Sequence, residues 1–73
     1  MDFKKSYFYD EGDEVYNKMF LKAEENLLND LLNTRGYLYL NQIYEELGIK
    51  WDPSKENILY LPPKKIDINK FIG

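Results

Sequence analysis

A cluster of acidic side chains directly precedes the longest helical pattern of the chain. The cluster comprises Asp10, Glu11, Asp13 and Glu14. Carboxylates this close together could hold Ca²⁺, but an EF-hand loop alternates its ligands and has glycine sixth, whereas Gly12 is the third residue here. Helix capping explains the cluster better, because Asp10 or Asp13 can accept hydrogen bonds from the first helical turn. We therefore predict a helix start and no metal site.

The other acidic pairs and the lack of further reactive groups argue against catalysis. Glu24 and Glu25 are neighbours in sequence, so on a helix their side chains diverge and we expect both to be solvated. The same holds for Glu45 and Glu46. The sequence has no histidine and no cysteine, which removes the usual zinc ligands and any histidine base for its two serines. We predict that the protein is not an enzyme and has no cofactor.

The acidic cluster can instead belong to a docking surface for another protein. Tyr7 and Tyr9 precede it, and tyrosine is enriched at protein interfaces because one end of the side chain is apolar and the other polar. We expect Tyr16, Tyr37 and Tyr44 to pack in the core. The predicted partner-binding residues are Tyr7, Tyr9, Asp10, Glu11, Asp13 and Glu14.

Charge and composition narrow the class of partner. The formal net charge is −3, and residues 1–34 carry −4 while residues 35–73 carry +1. An acidic half disfavours nucleic acid and anionic membranes, and it suits a basic protein surface, although solubility alone also explains a modest charge. The sequence shows no signal peptide and no apolar run long enough to cross a membrane. We therefore expect a cytoplasmic protein without a membrane segment.

The elements around the cluster predict one α+β domain spanning residues 1–73. Apolar residues spaced by three and four predict a long amphipathic helix over 13–35. Its main stripe is predicted to contain Tyr16, Met19, Phe20, Ala23, Leu27 and Leu31, and an adjoining stripe contains Leu21, Leu28 and Leu32. Two stripes need cover from two directions, so we expect one of them to face a partner or a second copy of the chain.

Shorter elements are predicted on either side of this N-terminal helix. Residues 1–9 favour an extended arm or edge strand, and 37–40 a short strand. A short second helix over 42–47 has Asn41 as a good N-cap and Gly48 as its C′ residue. Residues 49–61 are predicted to form a hairpin, and the tail 62–73 can cover the sheet edge. The fold is thus a long helix, a short helix and a small antiparallel sheet or hairpin.

The order of these elements also resembles part of a winged helix. The third, recognition helix is missing, because residues 51–60 are too few and contain Pro53. Basic residues that could contact phosphates are Lys50, Lys55, Lys64, Lys65 and Lys70. We keep a nucleic-acid-binding regulator as a third alternative and expect nucleic acid not to be the partner.

A longer pattern resembles a known family over about residues 7–51. It combines the acidic start with an Ala23-Glu24 helix and with Arg35-Gly36-Tyr37-Leu38-Tyr39-Leu40-Asn41-Gln42-Ile43-Tyr44, ending in Leu47-Gly48. These residues are similar to the C-terminal part of an uncharacterised protein family of phages and mobile elements in low-GC Gram-positive bacteria. This chain lacks the hydrophobic N-terminal region of longer members. The resemblance implies a phage or mobile-element origin and no mechanism.

Together these features favour binding over chemistry. The leading hypothesis is a small phage-type accessory protein that binds a host or phage protein with a basic surface. It would act through the acidic, aromatic face, as an inhibitor of a host enzyme or defence complex. The alternatives are a self-associating structural or virion-assembly component, such as a homodimer, and the nucleic-acid-binding regulator.

Overall fold

A computed structural model describes residues 3–72 and confirms the α+β fold. The chain forms a 3-10 helix (Phe3–Lys5), helix α1 (Glu14–Arg35), strand β1 (Leu38–Tyr39), helix α2 (Leu40–Glu46), strand β2 (Leu59–Tyr60) and a second 3-10 helix (Ile68–Lys70). The first two residues of the predicted arm and the last residue of the predicted tail lie outside the described residues.

Helix α1 confirms the predicted long helix, and its ends follow from two residues. The Asp13 Oδ1 atom accepts a hydrogen bond from the Tyr16 N–H at 2.8 Å, so Asp13 is the N-cap. Gly36 adopts a left-handed φ of 82°, and its N–H donates to the Leu32 carbonyl at 2.9 Å. Of the two predicted capping carboxylates, the structure uses Asp13.

The buried face of α1 is the narrower of the two predicted stripes. Leu21, Leu28 and Leu32 are buried, whereas Tyr16 and Met19 of the predicted main stripe are exposed. The rest of the core consists of Phe3, Leu38, Leu40, Ile43, Tyr44, Leu47, Ile66, Ile68 and Phe71. Both stripes have the same helical period, so only the position of the other elements decides which of them is covered.

The small sheet pairs β1 with β2 in antiparallel register, with Leu38 opposite Tyr60 and Tyr39 opposite Leu59. The predicted hairpin over 49–61 is therefore wrong in its first strand, although β2 lies within the predicted second one. The Ile49 N–H donates to the Tyr44 carbonyl at 2.9 Å, as a continuation of the end of α2. Residues 49–52 form no strand, and β2 pairs with β1 instead.

The start of the chain forms a 3-10 helix and a turn, so the predicted extended arm or edge strand is wrong within the described residues. The buried Ser6 hydroxyl donates to the Leu47 carbonyl, and the Tyr7 N–H donates to the Gly48 carbonyl at 2.8 Å. These bonds satisfy carbonyls at the end of α2 that no helical N–H can reach. A compact turn places both donors there while Phe3 enters the core.

Helix α2 starts two residues earlier than predicted. Its N-cap is Tyr39, whose N–H donates to the Gln42 side chain at 3.0 Å, and Asn41 lies inside the first turn. The Asn41 N–H donates instead to the Asn57 side chain at 2.8 Å. A side chain from a distant loop thus replaces the local cap that the sequence pattern favoured. Gly48 occupies the predicted C′ position with φ 70°.

The tail packs along the polar flank of α1. The Asn29 amide donates to the Ile66 carbonyl at 3.0 Å and accepts from the Ile66 N–H at 2.8 Å. One turn earlier, Glu25 accepts a hydrogen bond from the Ile68 N–H at 2.9 Å. These bonds hold the tail so that Ile66, Ile68 and Phe71 close the core.

Candidate docking surface

A continuous set of aromatic rings runs from the N-terminal turn onto α1. Tyr7 packs edge-on against Phe8, with ring centroids 5.7 Å apart, and Phe8 lies 5.1 Å from Phe20. Phe20 in turn stacks on Tyr16 at 6.2 Å. Tyr7 is nevertheless 88% exposed, and Phe8 and Tyr16 are also exposed. The rings therefore support one another, while Tyr7 exposes most of its area to solvent and Phe8 and Tyr16 about two fifths of theirs.

Two aliphatic side chains extend this set along the helix. Val15 and Met19 are four residues apart, so they are neighbours on one side of α1. Both are exposed, Met19 to 68%. We call the exposed residues together the aromatic surface; its members are Tyr7, Phe8, Val15, Tyr16 and Met19.

Acidic side chains lie at the same end of α1. Asp10, Glu11 and Asp13 are exposed, and Asp13 also caps the helix. The loop that carries them is fixed by buried Asn17, whose side chain accepts from the Asp10 N–H at 2.9 Å and donates to the Asp10 carbonyl at 2.8 Å. Sequence reasoning missed Asn17. Its position four residues before Leu21, on the buried stripe, was the available signal.

The six predicted partner-binding residues do not share one face. Tyr9 is half-buried and packs edge-on against Phe3, with ring centroids 5.8 Å apart. Glu14 lines an open groove of about 470 Å³ whose apolar walls include Phe3, Tyr9 and Leu21. Tyr9 and Glu14 therefore belong to this groove, while Tyr7 belongs to the aromatic surface.

Two carboxylates that were predicted to be solvated meet between the helices. One oxygen of Glu24 is buried without a hydrogen-bond partner among the described residues. Burial raises the pKa of Glu24 above its ordinary value, and the charge of Glu46 and a hydrogen bond with it raise that pKa further. The spacing of Glu24 from Leu21 and Leu28, three and four residues, could have indicated that it faces inward. The pair does not line the groove described above.

The structure gives no metal cluster within residues 3–72, where no three acidic side chains converge on a common point. The same part of the chain contains no helix with the length and apolar character needed to cross a membrane. In that part, Asp52 and Glu25 have pKa values held below the ordinary range, in each case first by a backbone N–H that donates to the carboxylate, from Ser54 and Ile68 respectively.

Comparison with known proteins adds one assignment. No curated protein and no solved structure matches the chain. The model of a family of unknown function, DUF6353, matches residues 3–58, which include the acidic cluster, α1, β1 and α2. Strand β2 and the tail follow the matched part. Since the match covers well over half of the residues, the chain belongs to the DUF6353 family of unknown function.

Proposed function

We propose that the protein is a small phage-type accessory protein that binds another protein through the aromatic surface. The observation that carries this proposal is the exposure of large apolar side chains on a rigid support, above all Tyr7 and Met19. Aromatic residues and methionine are enriched in the cores of protein interfaces. The phage or mobile-element origin, and with it the cytoplasm of a bacterial host, rests on the resemblance over residues 7–51.

The aromatic surface has enough area to anchor a partner. A fully buried aromatic side chain removes ~150–250 Å² from water. Tyr7 leaves most of its area open, so covering Tyr7 alone could contribute roughly 2–3 kcal/mol before the costs of association. Tyr16 and Met19 add to this on the neighbouring helix. A few such residues usually supply most of the binding energy.

The acidic residues define the kind of partner. Asp10, Glu11 and Asp13 surround the leading end of α1, and their negative charge speeds encounter with a basic surface and disfavours acidic ones. A rigid acidic face that covers a basic groove would block whatever that groove binds. Inhibition of a host enzyme or defence complex is therefore the mode of action that we propose.

Self-association is the second candidate, and one further observation favours it. Leu27 lies two turns beyond Met19 on the same side of α1 and is also exposed. Met19 and Leu27 could pair with the same residues of a second, antiparallel copy. Sedimentation at micromolar concentration separates the two candidates. A homodimer should sediment with twice the mass of one chain and dissociate on dilution, and the double variant Met19→Ser/Leu27→Ser should sediment as a monomer.

Partner capture tests the leading proposal. The immobilised chain should retain one host protein at a stoichiometric level, and the double variant Tyr7→Ser/Met19→Ser should lose it. Glu11→Lys should weaken capture at low salt, whereas Glu56→Lys, a charge reversal at an exposed residue after the 53–55 turn, should leave it unchanged. Retention by the double variant would contradict the role of the aromatic surface.

A further inference from the structure

The small sheet has an apolar face on the side away from the core. Leu38 of β1 is fully buried, and Tyr60 of β2 points inward with its ring 6.4 Å from that of Phe71. Side chains alternate along a strand, so Tyr39 and Leu59, which lie opposite each other, face outward. Both are exposed.

The residues on either side of this pair enlarge the same face. Continuing the register by one residue sets Tyr37 opposite Leu61, and the Tyr37 and Tyr39 rings are in edge-on contact at 6.1 Å. We call Tyr37, Tyr39, Leu59 and Leu61 the outer sheet face. Their exposed fractions lie between 39% and 52%. The solvent face of an antiparallel sheet is normally polar, so four large apolar side chains there indicate a covered surface.

Positive charge marks one end of the outer sheet face. The Arg35 guanidinium lies 5.3 Å from the centre of the Tyr37 ring, and within residues 3–72 it makes no ion pair. Lys64 does not add to this charge, because its ammonium lies 5.1 Å from the centre of the inward-facing Tyr60 ring. A carboxylate bound here would be hydrogen-bonded by the guanidinium, which presents two parallel donors.

The available area decides between a second copy and a short segment. Four half-exposed side chains of this size offer roughly 350 Å² in total, because a fully covered tyrosine contributes about 200 Å². A stable interface takes about 800 Å² from each partner. The outer sheet face is thus too small to hold two copies together and large enough for a few apolar side chains of a peptide.

We propose that the outer sheet face binds a short apolar segment of a partner protein, with a carboxylate of that segment placed at Arg35. This site is independent of the aromatic surface. Helix α1 has 22 residues and is about 33 Å long, so the two surfaces lie near its opposite ends. Arg35, Tyr37 and Tyr39 lie within the residues that match the family, whereas Leu59 and Leu61 follow them.

Selection from a display library of random dodecapeptides tests this proposal with the intact protein. Wild type should enrich peptides with several apolar residues and an aspartate or glutamate at one end. Leu59→Ser should lower the affinity of the enriched peptides about tenfold, because covering the exposed area of one leucine contributes about that factor to the affinity. Arg35→Gln should reduce the preference for acidic over neutral peptides, and Asn26→Ala, at an exposed residue of α1 outside both surfaces, should leave binding unchanged.

Three outcomes would overturn the proposal. They are enrichment of no peptide, enrichment of basic peptides, and equal binding to wild type and to both Leu59→Ser and Leu61→Ser. Circular dichroism of each variant verifies the fold, and exposed Leu61 provides a second substitution if Leu59→Ser unfolds. Failure of this selection leaves capture through Tyr7 and Met19 unaffected, so the two proposals fail separately.

Discussion

Replacing Asn29 by alanine should release the tail from α1. The Asn29 side chain donates to the Ile66 carbonyl and accepts from the Ile66 N–H, with donor–acceptor distances of 3.0 and 2.8 Å. It thereby completes both backbone hydrogen bonds of a residue that is only 2% exposed. Alanine would leave a buried donor and a buried acceptor without partners and would also remove the 3.0 Å bond from Asn29 to the Glu25 carbonyl.

The unfolding free energy that we expect Asn29→Ala to lose is large relative to the total stability of the domain. Each buried backbone group left without a partner costs about 1–3 kcal/mol, so the two together cost about 2–4 kcal/mol once some water enters. A domain of this length has a free energy of unfolding of roughly 4–11 kcal/mol. Alanine also favours a helix over asparagine by about 0.5 kcal/mol, which slightly offsets the loss.

A second asparagine on the same helix provides the control. Asn26 is exposed, and its side chain makes no hydrogen bond within residues 3–72. Asn26→Ala gains the same helix propensity and should be neutral or slightly stabilising. Urea unfolding of both variants, followed by the fluorescence of Trp51, measures the difference. Equal unfolding free energies for Asn29→Ala and Asn26→Ala would refute the role of Asn29 as the attachment of the tail.

Two further substitutions test contacts of α2. Gly48→Ala should cost more stability than Gly36→Ala in thermal unfolding, because both residues have positive φ but only a Cβ at 48 would clash with the Phe8 ring; equal losses would contradict this. Glu24→Gln should raise the unfolding free energy at neutral pH. A carboxyl whose pKa is raised in the folded protein adds stability as pH falls through that pKa toward 4.5. In urea unfolding at a series of pH values, the unfolding free energy of wild type should therefore rise relative to that of Glu24→Gln over this interval. Parallel plots of unfolding free energy against pH for wild type and Glu24→Gln would contradict a raised pKa of Glu24.

Local patterns predicted the helices because their determinants are close in sequence. Asp13 and Gly36 delimit α1 through contacts within four residues, and Gly48 ends α2 in the same way. The pairing of β1 with β2 could not be found so directly. The sequence pattern favoured residues 49–51 as the partner of β2, and only the structure shows that β1 pairs with it.

The polar residues of α1 show a second limit of local patterns. Asn17 and Asn29 each bind both backbone groups of a residue outside the helix, Asp10 and Ile66 respectively. Helical periodicity identifies the faces of a helix, but it does not identify which other segment of the chain packs against each face. For the same reason the sequence indicated two apolar stripes without showing which one is buried.

The exposure of the main stripe, which contains Tyr16 and Met19, follows from how the domain covers α1. The tail is bound to the polar flank of the helix by Asn29 and Glu25, so it closes one side of the core and does not reach Tyr16 and Met19. Polar residues at exposed positions would change the stability by less than about 0.5 kcal/mol, so packing alone gives no reason for large apolar side chains there. Exposed apolar patches also promote aggregation unless a partner covers them. Such patches occur near both ends of α1, at Met19 and at Tyr37, which favours a helix that presents two binding surfaces over incomplete packing at one place.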